Sequence, residues 1–252
     1  MRDFITCLEF LTRIRFSGRT DWRDEDFSRS VPYFPLIGVI IGVFLGWANY
    51  CFSYLGISDF LRAVLLLVTE LIVIGGLMYD GYMDTADGVF SARNRERMLE
   101  IMKDSHVGSN AVLAVIILLL LKIAVYLELP SDQLTIALIA AATATRTFMV
   151  IFIVKFPYAR KTGIGHLFVK YAKPIYVVIA FALCIAILMF LGLEMLVTAG
   201  LTLLVMLALA SYFTKILGGL TGDTYGALTE CGYVCFLVIL IILEQVIDKW
   251  LI

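Results

Sequence analysis

The chain has 252 residues, of which 61% are hydrophobic, and a formal net charge of −1; its mean hydropathy is +0.94. A soluble domain is about half apolar, so this excess cannot be hidden in one globular core and the chain reads as an integral membrane protein. The charge balance says little about partners, and no basic tract points to nucleic acid.

Residues 1–30 are charged and amphipathic, without the short apolar core and cleavage site of a signal peptide. Phe4, Ile5, Leu8, Leu11 and Ile14, with Glu9 and Arg13 between them, predict a helix lying in the membrane interface, as a lid or as a plain anchor. About seven apolar runs follow, each near the ~20 residues that cross ~30 Å of hydrocarbon. They cover 31–54, 59–79, 111–128, 134–156, 174–193, 195–214 and 232–246. The fifth and sixth meet at a tight turn around Gly192 and Glu194, which predicts an antiparallel hairpin. No internal repeat or low-complexity linker is visible, so the reading is one all-α domain over 1–252, a polytopic transmembrane helical bundle.

Basic residues set the orientation. Arg2, Arg13, Arg15, Arg19, Arg23 and Arg29 precede the first span, Arg93, Arg95, Arg97 and Lys103 follow the second, Lys155, Arg160, Lys161, Lys170 and Lys173 follow the fourth, and Lys215 follows the sixth. In a seven-span chain all of these share one side, opposite Arg62 and Lys249. The positive-inside rule then puts the N-terminus in the cytoplasm. The five cysteines, Cys7, Cys51, Cys184, Cys231 and Cys235, show no metal-ligand spacing and read as small apolar fillers.

The densest chemistry lies at the end of the second run, in the stretch from Gly75 to Gly88. Asp80, Asp84 and Asp87 are spaced i, i+4 and i+7, which places them within an arc of roughly 60° on one helix face. Three anions on one face repel unless a cation sits among them. Oxygen-only ligands with open geometry suit Mg²⁺, which keeps some waters and binds substrate phosphates through one or two carboxylates. Asp104 ends a short helix-like run, 93–103, on the same side, and Asp223 and Glu230 repeat the one-face theme on entering the last span. Three further charges, Glu70, Lys122 and Arg146, fall inside spans, each about 15 Å deep at 1.5 Å per residue. Such residues default to paired or functional roles. The expectation is that Glu70 pairs with Arg146 or Lys122 and leaves the other cation facing a polar cavity.

These residues carry a resemblance. The stretch from Gly75 to Gly88, then Ser91-Ala92-Arg93, then Arg97 through Gly108, is similar to the cobalamin synthase family, the adenosylcobinamide-GDP ribazoletransferases. Further matches are Phe10 through Ile14, Phe34 through Gly38, Arg146, Tyr158-Ala159-Arg160 with Gly163 and Gly165, and Gly218 through Ala227. Family members commonly have His where this chain has Met78, and Pro where it has Arg15. Met78 can neither accept nor shuttle a proton.

The resemblance implies a Mg²⁺-dependent enzyme of the cytoplasmic membrane with its site on the cytoplasmic face. It would join adenosylcobinamide-GDP to α-ribazole or its 5′-phosphate and release GMP. On that reading Asp80, Asp84, Asp87 and Asp104 hold one or two Mg²⁺, and Asp84 or Asp104 accepts the proton of the attacking hydroxyl. Arg93, Lys103, Lys122, Arg146 and Arg160 are substrate-binding cations, and Asp223 completes the metal shell or holds a ribose. Two rivals remain. An alcohol phosphatidyltransferase follows a pattern similar to D-G-x2-A-R-x8-G-x3-D-x3-D, but here Ala92-Arg93 comes one residue late and the second half is missing. A transporter is suggested by the three mid-span charges, although most carboxylates lie at the surface. A homo-oligomer is left open.

Overall fold

The computed structural model describes residues 2–16 and 23–251, with side chains as far as residue 246. Residues 17–22, Arg19 among them, therefore lie outside the described residues. The elements are α1 (Arg2–Leu11), α2 (Asp24–Ser30), a 3₁₀ turn (Val31–Tyr33), α3 (Phe34–Tyr54), α4 (Asp59–Ile74), α5 (Leu77–Phe90), α6 (Arg95–Ile101) and α7 (Ser109–Glu128). After these come α8 (Ser131–Lys155), α9 (Ile164–Lys170), α10 (Ile175–Leu191), α11 (Leu193–Leu217) and α12 (Gly222–Leu251). Among the described residues the only β pairing is an isolated bridge between Tyr158 and Leu220.

Five helical segments are long and apolar enough to cross a membrane, or up to seven if each of two bent pairs counts as one span. The pairs are α4 with α5 and α9 with α10, each bent by 100°. We take the apolar limbs α4 and α10 as the crossing segments. α5, which carries three aspartates, is turned out of the apolar run. The sequence reading carried the second span through Tyr79. In the structure the helix stops at Ile74, because Gly75 adopts φ 70° and Gly76 starts a new helix. The last helix likewise begins at Gly222, ten residues before the apolar run. The hairpin between the fifth and sixth runs is as expected: Gly192, at φ 142°, is the single residue between α10 and α11.

α8 is the most buried span and the centre of the bundle. Ala140, Ala141, Ala142 and Ala144 are wholly buried, and α3 lies against them with glycine at every fourth position. A Cβ on Gly38 would stand 2.5 Å from the Ala142 carbonyl oxygen, and one on Gly42 would stand 2.4 Å from the Ile139 Cα. Small residues on both sides let the backbones touch, which replaces the hydrophobic drive that lipid cannot supply.

A buried ionic knot ties α4, α5, α7 and α12. The Lys122 ammonium donates to Glu70 Oε1 at 2.8 Å, Glu230 Oε2 at 2.7 Å and the Tyr79 hydroxyl at 2.8 Å. The Tyr79 hydroxyl in turn donates to Glu70 at 3.1 Å. Of the two partners expected for Glu70, Lys122 is the one found. Arg146 makes no ion pair with Glu70: its guanidinium is buried, donates to Thr145 Oγ1 at 3.2 Å, and its Nε has no partner.

α1 packs against the bundle. Cys7, Leu8 and Leu11 are buried, Phe10 meets Phe27 edge-on and Phe168 at a tilt, and the Arg13 amide donates to the Val73 carbonyl at 2.7 Å.

Two outcomes follow. Lys122→Met strands two buried carboxylates and should destabilise the protein by about 3–5 kcal/mol, visible as a lowered thermal midpoint in detergent. Gly38→Leu should abolish recovery of monodisperse protein, because the neighbour it strikes is backbone.

Candidate active site

α5 presents its aspartates in graded surroundings. Asp80 is exposed, Asp84 is half-buried and Asp87 is buried. Asp87 Oδ2 accepts from the Gly108 amide at 2.6 Å and its Oδ1 from the Ala111 amide at 2.8 Å. These are first-turn donors of α7 with no partner inside the helix, so Asp87 caps α7 and meets the positive end of its dipole. Gly108 makes the approach feasible, since a Cβ there would fall 2.5 Å from Asp87 Oδ1. Asp87 can serve a cation only through the remaining lone pairs of these occupied oxygens.

The loop between α6 and α7 brings in the next acid. The Asn94 side chain caps α6 by accepting from the Arg97 amide, and buried Met102 seats the loop against Gly88 of α5. Asp104 Oδ1 accepts from the His106 amide at 3.0 Å and pairs with His106 Nδ1 at 2.6 Å. Those bonds hold the Asp104 carboxyl below the usual range, and the carboxylate raises the His106 imidazole. Asp80, Asp84, Asp87, Lys103, Asp104 and His106 line one cleft of about 300 Å³.

A second wall comes from α12. The Pro157 carbonyl accepts from the Leu220 amide at 2.7 Å, and the Leu220 carbonyl accepts from the Ala159 amide at 2.8 Å. This bridge needs Gly219, at φ 151°, whose Cβ would otherwise sit 2.7 Å from the Ala159 nitrogen. Thr221 and Thr224 exchange backbone and hydroxyl hydrogen bonds that start α12. The result sets Arg160 against Asp223 in an ion pair of 2.6 Å. α12 reaches α5 closely because both carry glycine at the crossing: a Cβ on Gly81 would stand 2.8 Å from the Asp223 carbonyl oxygen, and one on Gly226 would stand 2.8 Å from that of Met78. Asp80, Gly81, Arg160 and Asp223 line a second cavity of about 250 Å³, so Asp80 borders both.

The electrostatics record the crowding. Partial burial, then the charges of Asp80 and Asp223, push the Asp84 carboxyl up to about 7, against a smaller opposing pull from Arg160. Among the described residues no three acidic, histidine or cysteine side chains converge closely enough to grip a metal ion by themselves. The donor set is therefore incomplete as a cage. It still suits an ion that takes one or two carboxylates and finds its other oxygens on water and substrate phosphate.

Of the residues singled out in the sequence, Asp80, Asp84, Asp87, Asp104 and Lys103 share the cleft, with Arg160 and Asp223 beside it across Asp80. Arg93 is elsewhere: it is exposed and lines an open groove with Asn94 and Arg97. Lys122 was expected to bind substrate, but its hydrogens go to Glu70, Glu230 and Tyr79 and its side chain is fully buried. No donor is left for a phosphate. Arg146 lines neither cavity. The sequence reading gave no role to His106, two residues from Asp104, or to Tyr158 and Tyr225, which line the second cavity. All three lay inside quoted motifs, but nothing in their spacing set them apart.

The sequence model described as Cobalamin-5-phosphate synthase matches residues 3–241. The adenosylcobinamide-GDP ribazoletransferase of Desulforamulus reducens is 39% identical over 236 residues, covering 92% of this chain and 94% of that protein. The enzyme of that name from Clostridium novyi is 35% identical over 243 residues, covering 96% and 97%, and that from Citrobacter koseri is 35% identical over 251 residues, covering 94% and 98%. No solved structure matches. With the fold, the ordered motifs and these full-length relatives in agreement, the chain belongs to the cobalamin-5-phosphate synthase family.

Proposed function

We propose that the protein is an adenosylcobinamide-GDP ribazoletransferase of the cytoplasmic membrane, with Mg²⁺ as its cofactor and its acidic cleft open to the cytosol. The observation that carries the reading is the single cleft in which acids from α5 and from the loop before α7 meet Lys103. Phosphoryl transfer asks for this kind of site, since most of its catalysis is positioning and charge stabilisation. Loops rich in Lys and Arg on the same side support a cytoplasmic N-terminus.

In this reaction a ribose hydroxyl oxygen of α-ribazole, or of its 5′-phosphate, bonds to the phosphorus of the cobinamide phosphate. The P–O bond to GMP breaks, and its electrons leave with GMP. Mg²⁺, when bound, neutralises the diphosphate and eases departure of the leaving group. Asp80 and Asp84 offer the least encumbered carboxylates for the ion, with Asp87 beside them through its outer lone pairs. Asp84, whose carboxyl is pushed up to about 7, is the better matched acceptor of the hydroxyl proton; Asp104, held low by His106, is the alternative. Lys103 and Arg160 stand where phosphate oxygens need donors, and the planar guanidinium suits a two-point grip. Asp223 holds Arg160 in place. Arg93 stays a candidate for the far end of a long substrate, and Arg146 for a role in the interior.

Two of the three mid-span charges, Glu70 and Lys122, argue against transport. Glu70, Lys122 and Glu230 are consumed by one another, an arrangement that fixes helices and offers no exchangeable binding site.

Purified protein given Mg²⁺, adenosylcobinamide-GDP and α-ribazole 5′-phosphate should release GMP, and EDTA should stop it. Asp84→Asn should cut turnover by about 100-fold or more and weaken the Mg²⁺ dependence. Asp104→Asn should lower kcat at saturating Mg²⁺. Turnover indifferent to EDTA and to both variants would sink the mechanism.

A stability effect should accompany the loss. A carboxyl whose folded pKa is raised costs stability once ionised, an effect absent below the unfolded value of about 3.9 and complete above about 7. Asp84→Asn removes that repulsion, so the metal-free variant should melt above the metal-free parent at pH 8 and not at pH 4.

A further inference from the structure

The second cavity has a different character from the acidic cleft. Phe10 from α1, Phe34 from α3, Phe168 from α9, Tyr158 from its loop and Tyr225 from α12 wall it. The rings are interlocked: Phe34 meets Phe168 at 5.8 Å and 75°, Phe10 meets Phe168 at 4.8 Å, and Tyr158 faces Tyr225 at 6.2 Å. Asp80, Arg160 and Asp223 give it one polar side. Two donors there lack partners. The Tyr225 hydroxyl is buried without a hydrogen bond, on a residue only 4% exposed, and Arg160 Nε is buried in the same state. Buried polar groups are nearly always satisfied, so an unpartnered hydroxyl on a residue that lines an aromatic cavity is a donor available to an acceptor lodged beside it.

We infer that this cavity is the subsite for the nucleoside acceptor, its aromatic base lodged among the rings and a ring nitrogen accepting from the Tyr225 hydroxyl. The inference rests on the proposed transferase reading and assigns one of its two substrates. Size makes the assignment. Pockets for drug-sized ligands run about 300–1,000 Å³, so 250 Å³ holds a fused bicyclic base and excludes a corrin macrocycle. The corrinoid donor must remain outside, reaching the acids with its diphosphate only. A base such as the benzimidazole of α-ribazole has an apolar body and one free ring nitrogen, which matches aromatic walls with the open Tyr225 hydroxyl, while the Arg160 Nε is left for a phosphate oxygen of the same substrate. Its ribose then lies toward Asp80, the residue common to both cavities. A lipid chain fits the walls but leaves the Tyr225 hydroxyl and the Arg160 Nε unmet.

Two substitutions test this with both substrates varied in turn. Tyr225→Phe removes an unpartnered hydroxyl and so leaves the fold intact. It should raise the KM for α-ribazole 5′-phosphate about fivefold to tenfold, the effect of one hydrogen bond, and leave the KM for adenosylcobinamide-GDP unmoved. The parent should favour α-ribazole 5′-phosphate over the analogue with carbon in place of the free ring nitrogen, and Tyr225→Phe should erase that preference. Ile164→Trp, at a half-exposed cavity position, should fill the space and raise the acceptor KM more than tenfold. An unchanged acceptor KM in both variants, equal movement of both KM values, or co-purified phospholipid that excess α-ribazole 5′-phosphate fails to displace would overturn the assignment. Absence of any GMP release would instead defeat the transferase reading. Calorimetric binding of α-ribazole 5′-phosphate to parent and Tyr225→Phe then still decides the cavity, equal affinities overturning it.

Discussion

A lysine without access to water organises this molecule. Lys122 lies fully buried on α7, and its ammonium is shared among Glu70 of α4, Glu230 of α12 and Tyr79 at the start of α5. Burying any one of these charges alone is expensive, and their mutual attraction offsets it only while all keep their geometry. The knot is therefore intolerant of sliding between the four helices. Tyr233, over whose ring the ammonium sits at 4.9 Å, and Tyr126 beyond it extend the fixed region through α12 and α7. Net charge at the knot is one cation to two carboxylates, with the Arg146 guanidinium buried nearby without a carboxylate of its own.

What the knot fixes is the placement of α5. Its first turn is held by Tyr79, its middle by the glycine crossing with α12, and its end by the Asp87 cap on α7. Asp80 and Asp84 thus project from a helix immobilised at three levels, which holds the two carboxyls together against the repulsion that adds to burial in raising Asp84. The aspartates border two cavities of opposite character, one charged and one aromatic. The proposed reaction matches that division, because one partner brings a diphosphate and the other a planar base carried on the attacking ribose.

Much of this was legible in the residues. Hydrophobic run length gave the spans α3, α7, α8 and α11 to within a few residues, since burial in lipid leaves little freedom in length. The acid spacing gave one face of α5, because helical period decides it. The break at Gly75 was harder: Leu77, Met78 and Tyr79 extend the apolar run, and only the positive φ of Gly75 shows that they begin another helix. The partner of Glu70 depended on which of two cations at equal depth faced α4, which no one-dimensional pattern encodes. Lys122 read as a substrate ligand for the same reason, its consumption by Glu230 being a contact across 108 positions. Tyr225 was invisible because an unpaired hydroxyl is a property of surroundings.

The turn at Gly192 has a consequence for biogenesis. With one residue separating α10 from α11, no hydrophilic segment is available to be drawn across the bilayer between them. The two helices must enter the lipid together, as a hairpin that leaves the insertion machinery in one event. The junction also has no room for an epitope or a glycan acceptor, so reporters of sidedness belong in the longer connections instead.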